Sequence, residues 1–140
     1  MIQFVYNTPF SLINETKISD WLLFLASQEG YRIKNLYYNY VSIEEIRSIN
    51  LEHLNHNYPT DVITFDYSID DEISAEVFIC QEQVEKNAIE YSQTTENETI
   101  RVLCHALFHL CGHDDKSKTQ QLDMRQTEDK AIASFHTTFK

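Results

Sequence analysis

The segment from Cys104 to Asp115 constrains this chain more than any other, because it concentrates three histidines, two carboxylates and two thiols in one short run. At about 100° per residue, a helix puts His105 and His109 only ~40° apart, while Leu103, Leu107 and Leu110 cluster on the opposite side. The imidazoles and the apolar core therefore claim different faces of one helix. Gly112 supplies the left-handed residue that ends many helices, so His113, Asp114 and Asp115 emerge where the chain turns back. One helix and its exit turn can thus assemble most of a cation's coordination shell.

A pair of histidines four residues apart is by itself often surface decoration. Here the pair lies opposite the apolar stripe and further nitrogen and oxygen donors follow at the helix end, which points to a divalent transition metal, zinc foremost. On spacing alone, His113 and Asp115 both remain open as the third ligand. The residue after His105 is Ala106 and not glutamate, so the general base of a His-Glu-x-x-His peptidase is missing. Cys80, Cys104 and Cys111 make an odd set without the spacing of a disulfide framework, as suits a reducing compartment. Cys104 lies ~100° from His105 on the wheel and Cys111 is turned toward the leucines, so these thiols are expected to pack as small hydrophobes.

Elsewhere the chain alternates strand and helix patterns. An early strand is expected over 2–6, then a helix over 17–28 with Ile18, Trp21, Leu22 and Leu25 on one face and Gly30 at its stop. A tyrosine-rich strand follows over 36–41. Ser42-Ile43-Glu44-Glu45 reads as a capping box opening a helix with Ile43, Ile46 and Ile49 on one side. Two strands, 61–67 and 75–80, flank an acidic turn over 68–72. Helices are then expected over 81–92, 96–111 and 119–135. The order β-α-β-α-β-β-α-α-α predicts an α/β chain of the α+β type, with a small mixed sheet of about four strands covered by helices. With 140 residues and only two glycines and two prolines, residues 1–140 are expected to form a single domain.

Three ordered blocks resemble the YbeY-type endoribonucleases. The run from His105 to Asp115 is similar to that family's zinc signature of histidines at fixed spacing, Pro59-Thr60-Asp61-Val62-Ile63-Thr64-Phe65 to its Pro-Thr-Asp-Val-Leu-Ser-Phe, and Ala75-Glu76-Val77-Phe78-Ile79-Cys80 to its Gly-Asp-Ile-x-Ile-Cys. Met124 and Glu128 fit a Met and a Glu of its last helix. The likeness spans about Leu36 to Ile132. Two positions depart from it: Asp115 stands in the slot of the third histidine, with His113 where the family usually has an aromatic residue, and Leu54 replaces a basic residue the family often carries. The resemblance implies an α/β fold with the metal helix at one end of the sheet, and one Zn2+ held by His105, His109 and Asp115. It also implies hydrolysis of RNA phosphodiesters in ribosomal RNA processing, including small-subunit RNA maturation and ribosome quality control.

Asp is a competent oxygen ligand for zinc, and three protein ligands leave a position for water. Asp115 has the reach to return to the histidine face, whereas His113 follows Gly112 directly and its ring is expected to point away. Asp114 is a candidate for proton shuttling or for fixing a histidine tautomer. Lys116 and Lys118, next along the chain, are candidate phosphate contacts. No general base is evident.

A formal net charge of −11 argues against broad, non-specific adhesion to nucleic acid. It is compatible with a nuclease whose RNA is presented by ribosomal RNA and ribosome-associated proteins, and neither DNA nor a membrane is an expected partner. The first residues lack a basic region followed by an apolar core, and no apolar run reaches membrane-spanning length, so a cytoplasmic location is expected. Two other classes fit the metal pattern: a metallopeptidase-like zinc hydrolase, and a non-catalytic ribosome-associated module whose metal is structural and closed by four protein ligands.

Overall fold

A computed structural model of the chain describes residues 1–54 and 60–139. Pro59 of the Pro-Thr-Asp block falls outside these residues, as does the side chain of Leu54. The elements follow the expected order: β1 (Ile2–Tyr6), α1 (Glu15–Gln28), β2 (Arg32–Tyr40), α2 (Ile43–Leu54), β3 (Val62–Asp66), β4 (Glu72–Ile79), α3 (Gln81–Glu90), α4 (Thr95–Leu110) and α5 (Lys118–Thr137).

The sheet runs β1-β2-β4-β3, with β1, β2 and β4 mutually parallel and β3 antiparallel at one edge. Alternation along the strands decides which side chains go where. Leu36, Tyr38 and Tyr40 of β2 and Ile73, Ala75, Val77 and Ile79 of β4 point to one face and are buried against α1, α4 and α5. Ile63, Phe65 and Phe78 point the other way, where Ile46 of α2 packs on them with Val41 and Cys80. Polar tips inside the main core are satisfied: the Tyr38 hydroxyl donates to the Leu103 carbonyl at 2.9 Å, and Trp21 Nε1 donates to the Ala131 carbonyl at 2.9 Å. These two bonds tie β2 to α4 and α1 to α5.

Two strands begin earlier than their patterns predict. Arg32–Asn35 and Glu72–Ser74 extend β2 and β4, pairing Arg32 with Glu72 and Ile33 with Ile73 before a register shift ahead of Asn35. In isolation Arg32, Lys34 and Asn35 read as loop and Glu72 as turn. Paired, they set Arg32 and Lys34 beside Glu72 at 3.6 and 3.9 Å. The helix over 43–54 starts as its cap predicts, with the Ser42 hydroxyl accepting from the Glu45 amide at 3.1 Å. Among the described residues no helix is long and apolar enough to cross a membrane.

Candidate metal centre

On α4 a polar stripe crosses an otherwise apolar helix. Glu98, Arg101, His105 and His109 recur at three- and four-residue spacing and therefore share one side. Leu103, Leu107 and Leu110 occupy the opposite side and are buried, so the segregation expected of the histidines and leucines is present in the fold. The helix packs on α3 and α5 and reaches β3, and residues of the stripe share a cavity with Asp61, the residue before β3.

The exit from α4 determines which of its following residues can rejoin the histidines. Gly112 has φ of 92°; its amide donates to the His109 carbonyl and the His113 amide to the Phe108 carbonyl, both at 3.0 Å. This is a Schellman closure, which commonly brings the residue after the glycine against the helix's last turn. The His113 ring accordingly packs edge-on against Phe108, with centroids 5.4 Å apart, and its Nε2 pairs with Oε1 of Glu29, the residue that caps α1. His113 thus faces away from His105 and His109. Asp115, two residues on, turns back toward them.

His105 Nε2 and His109 Nε2 lie 3.1 Å apart, and Asp115 Oδ2 lies 3.5 Å from the first and 3.3 Å from the second. Donors at tetrahedral positions around zinc, with bonds of 2.0–2.1 Å, are about 3.3 Å from one another. The three atoms therefore form a triangle of the size of one face of a zinc tetrahedron. Among the described residues, this group of three is the donor set that can hold a metal ion.

Behind His105 stands Glu128 of α5, only 3% exposed. Its Oε2 is 2.5 Å from His105 Nδ1, and its Oε1 accepts from Arg101 Nη1 at 3.0 Å. A carboxylate can only accept there, which assigns the proton to Nδ1 and leaves Nε2 to face the donor triangle. Arg101 is in turn held by Asp129 at 2.7 Å and lies 3.8 Å from Glu98. Burial pulls the His105 pKa down, but Glu128 above all, with Asp115 and Asp61, more than reverses this and the pKa is raised.

The orienting role expected of Asp114 is filled at His105 by Glu128; Asp114 itself is exposed. Lys116 and Lys118 are likewise exposed, and the Lys116 amide is taken up by Gln120 Oε1 where α5 is capped by Ser117. Neither lysine lines the cavity of about 480 Å³ beside the histidines, whose wall includes Asp61, Asn87, Glu98, Arg101, Asp115 and Arg125. Asp61 is the carboxylate that motif reading left without a role. Burial raises its pKa, opposed mainly by the charge of His105, and Asn87 Nδ2 donates to its Oδ2 at 3.3 Å. All three cysteines are buried, and burial raises each thiol, Cys111 to about 12, so they pack as neutral groups.

The profile of the family described as Endoribonuclease YbeY matches residues 10–136. The chain belongs to this family. A relative from Flavobacterium johnsoniae, named Endoribonuclease YbeY, is 42% identical over 136 residues, 97% of this chain and 98% of the relative. Another of that name, from Karelsulcia muelleri, is 37% identical and covers 92% of each chain. One from Bacteroides thetaiotaomicron is 34% identical over 86% of this chain and 88% of its own. The solution structure of a Thermotoga maritima protein superposes with a TM-score of 0.69 over 96% of this chain and 89% of that one; at 24% identity it speaks for the fold alone.

Proposed function

We propose that residues 1–140 act as one metallohydrolase unit, a zinc-dependent endoribonuclease that cuts ribosomal RNA, with His105, His109 and Asp115 as the metal ligands. The observation that carries this reading is the donor triangle with edges of 3.1, 3.3 and 3.5 Å, backed by a buried carboxylate on His105. A set of three protein donors among the described residues favours a site open to water over a closed structural one.

A divalent cation held by His105, His109 and Asp115 would supply a Lewis acid for a phosphoryl oxygen and would make a water more acidic. The protein's own contribution is orientation and proton handling. Glu128 keeps the proton of His105 on Nδ1, and Arg101 holds Glu128 in place. Asp115 adds an oxygen to the two imidazole nitrogens of the donor set. Asp61, on the cavity wall and raised in pKa by burial, serves as the base that takes up the proton of the attacking water.

The acidic chain, at −11, requires that RNA be brought to it by ribosomal partners, with a cytoplasmic site of action. The test is metal analysis of dialysed wild type and His109→Ala together with cleavage of a small-subunit ribosomal RNA fragment. His109→Ala should lose stoichiometric zinc and cleavage while keeping its helical circular dichroism. Full zinc content and full cleavage in that variant would overturn the assignment.

A further inference from the structure

The cavity beside the donor triangle is lined by Asp61, Glu98, Asp115 and Glu128, a surplus of negative charge for a site that must admit a polyanion. Two arginines share the wall. Arg101 is buried, and its guanidinium is committed to Glu128 at 3.0 Å and Asp129 at 2.7 Å. Arg125 is exposed and makes no ion pair within 4 Å among the described residues, although its charge also acts on Glu98. It lies three residues before Glu128 on α5, hence on the same helix face, with Cβ atoms roughly 5–6 Å apart. Glu128 in turn reaches His105 at 2.5 Å, so the Arg125 side chain starts about one helical turn from the group that holds a proposed ligand.

At the end of α3, Tyr91 also lines the cavity. It caps the end of that helix and is 55% exposed, a large aromatic surface left to solvent beside a polar cavity. A cation and an aromatic ring lining one cavity match the two recurring parts of a single-stranded nucleic-acid subsite: a positive group for the backbone and a flat face for a base.

We propose that Arg125 binds an RNA phosphate at the cavity and that Tyr91 stacks the adjoining base, the pair forming a nucleotide subsite beside the metal ligands. This rests on the nuclease reading above for its substrate, though not for its test. Arg125 lines the cavity, whereas Lys116 and Lys118 do not.

The experiment is anisotropy binding of a short fluorescent oligouridine to zinc-loaded protein, read before turnover across a salt series. The proteins are wild type, Arg125→Gln, Tyr91→Ala, Tyr91→Phe and Lys17→Ala; Lys17 lies over the Phe135 ring and removes a charge away from the cavity. Arg125→Gln should reduce the logarithmic salt slope by about 0.7, the value of one single-strand phosphate contact. Tyr91→Ala should weaken binding about fivefold or more while Tyr91→Phe keeps it. Zinc content should match wild type throughout, and Lys17→Ala should keep the wild-type slope. Equal slopes in wild type and Arg125→Gln, an equal loss in Lys17→Ala, or Tyr91→Ala binding as wild type would overturn the subsite. Loss of binding in the variants with no cleavage by wild type would uphold the subsite and refute the nuclease reading.

Discussion

Replacing Glu128 by Gln changes one oxygen for one amide nitrogen, yet it cannot be accommodated quietly. Glu128 accepts on both oxygens, from His105 Nδ1 at 2.5 Å and from Arg101 Nη1 at 3.0 Å. A glutamine offers one acceptor and one donor, so either the imidazole or the guanidinium must face an NH2 group. If the carbonyl turns to His105, Arg101 keeps Asp129 at 2.7 Å but meets a donor at Nη1. If it turns to Arg101, His105 Nδ1 is forced to become an acceptor and its Nε2 acquires the proton, which removes a ligand atom. Loss of such an orienting carboxylate typically weakens a metal site 10- to 100-fold, or about 1.4–2.7 kcal/mol. The clash at a buried polar pair costs the metal-free fold a further ~1–3 kcal/mol. Competition titration against a zinc chelator, together with thermal melts of the metal-free proteins, measures both. Zinc affinity in Glu128→Gln within twofold of wild type would refute the argument that this carboxylate fixes His105.

Asp115→Asn should weaken zinc strongly, His113→Phe should retain it, and Asp115→His should bind at least as firmly as wild type; dissociation constants that show metal lost in His113→Phe and kept in Asp115→Asn would reverse the ligand assignment. The pH dependence should have opposite signs in the two forms of the protein. In metal-free protein the raised His105 pKa means that its pairing with Glu128 stabilises fully below the ordinary value of 6.5 and that this contribution fades as pH rises through the raised folded value. With zinc, protonation competes with ligation, so stability should instead rise over the same window, and parallel melting curves for the two forms would contradict this. Asp61→Asn should lower kcat for RNA cleavage about 100-fold or more with zinc content unchanged, a loss of general-base catalysis that steady-state kinetics on a ribosomal RNA fragment will detect or rule out.

Much of this fold was written in local patterns, and the missing parts are those made by tertiary contact. The periodicity of Ile18, Trp21, Leu22 and Leu25, the Ser42 cap and the placing of Gly112 after Leu110 each place an element within a few residues. Arg32–Asn35 could not be read as strand, because its polar residues become extended only through pairing with Glu72–Ser74. At the site, His105 and His109 are legible since one helix turn brings them together. Glu128 is picked out by the family likeness, but its hold on His105 is not legible, as it lies 23 residues away and reaches that ring only because α5 packs on α4. A signal for Arg101 and Glu98 did exist: stepping back from His105 by four and then three residues continues the same helix face. Asp61 lay inside a quoted motif, but its wall position beside the triad depends on where β3 begins.

The central claim is that three protein donors hold one ion and that RNA cleavage depends on it. Chelator-stripped wild type, given zinc stepwise and assayed on a small-subunit ribosomal RNA fragment at each addition, tests this most directly. Cleavage should be absent at the start, rise linearly and stop rising at one equivalent of zinc per chain, with His109→Ala flat throughout. Cleavage by the stripped protein, or equal cleavage by His109→Ala, would contradict it.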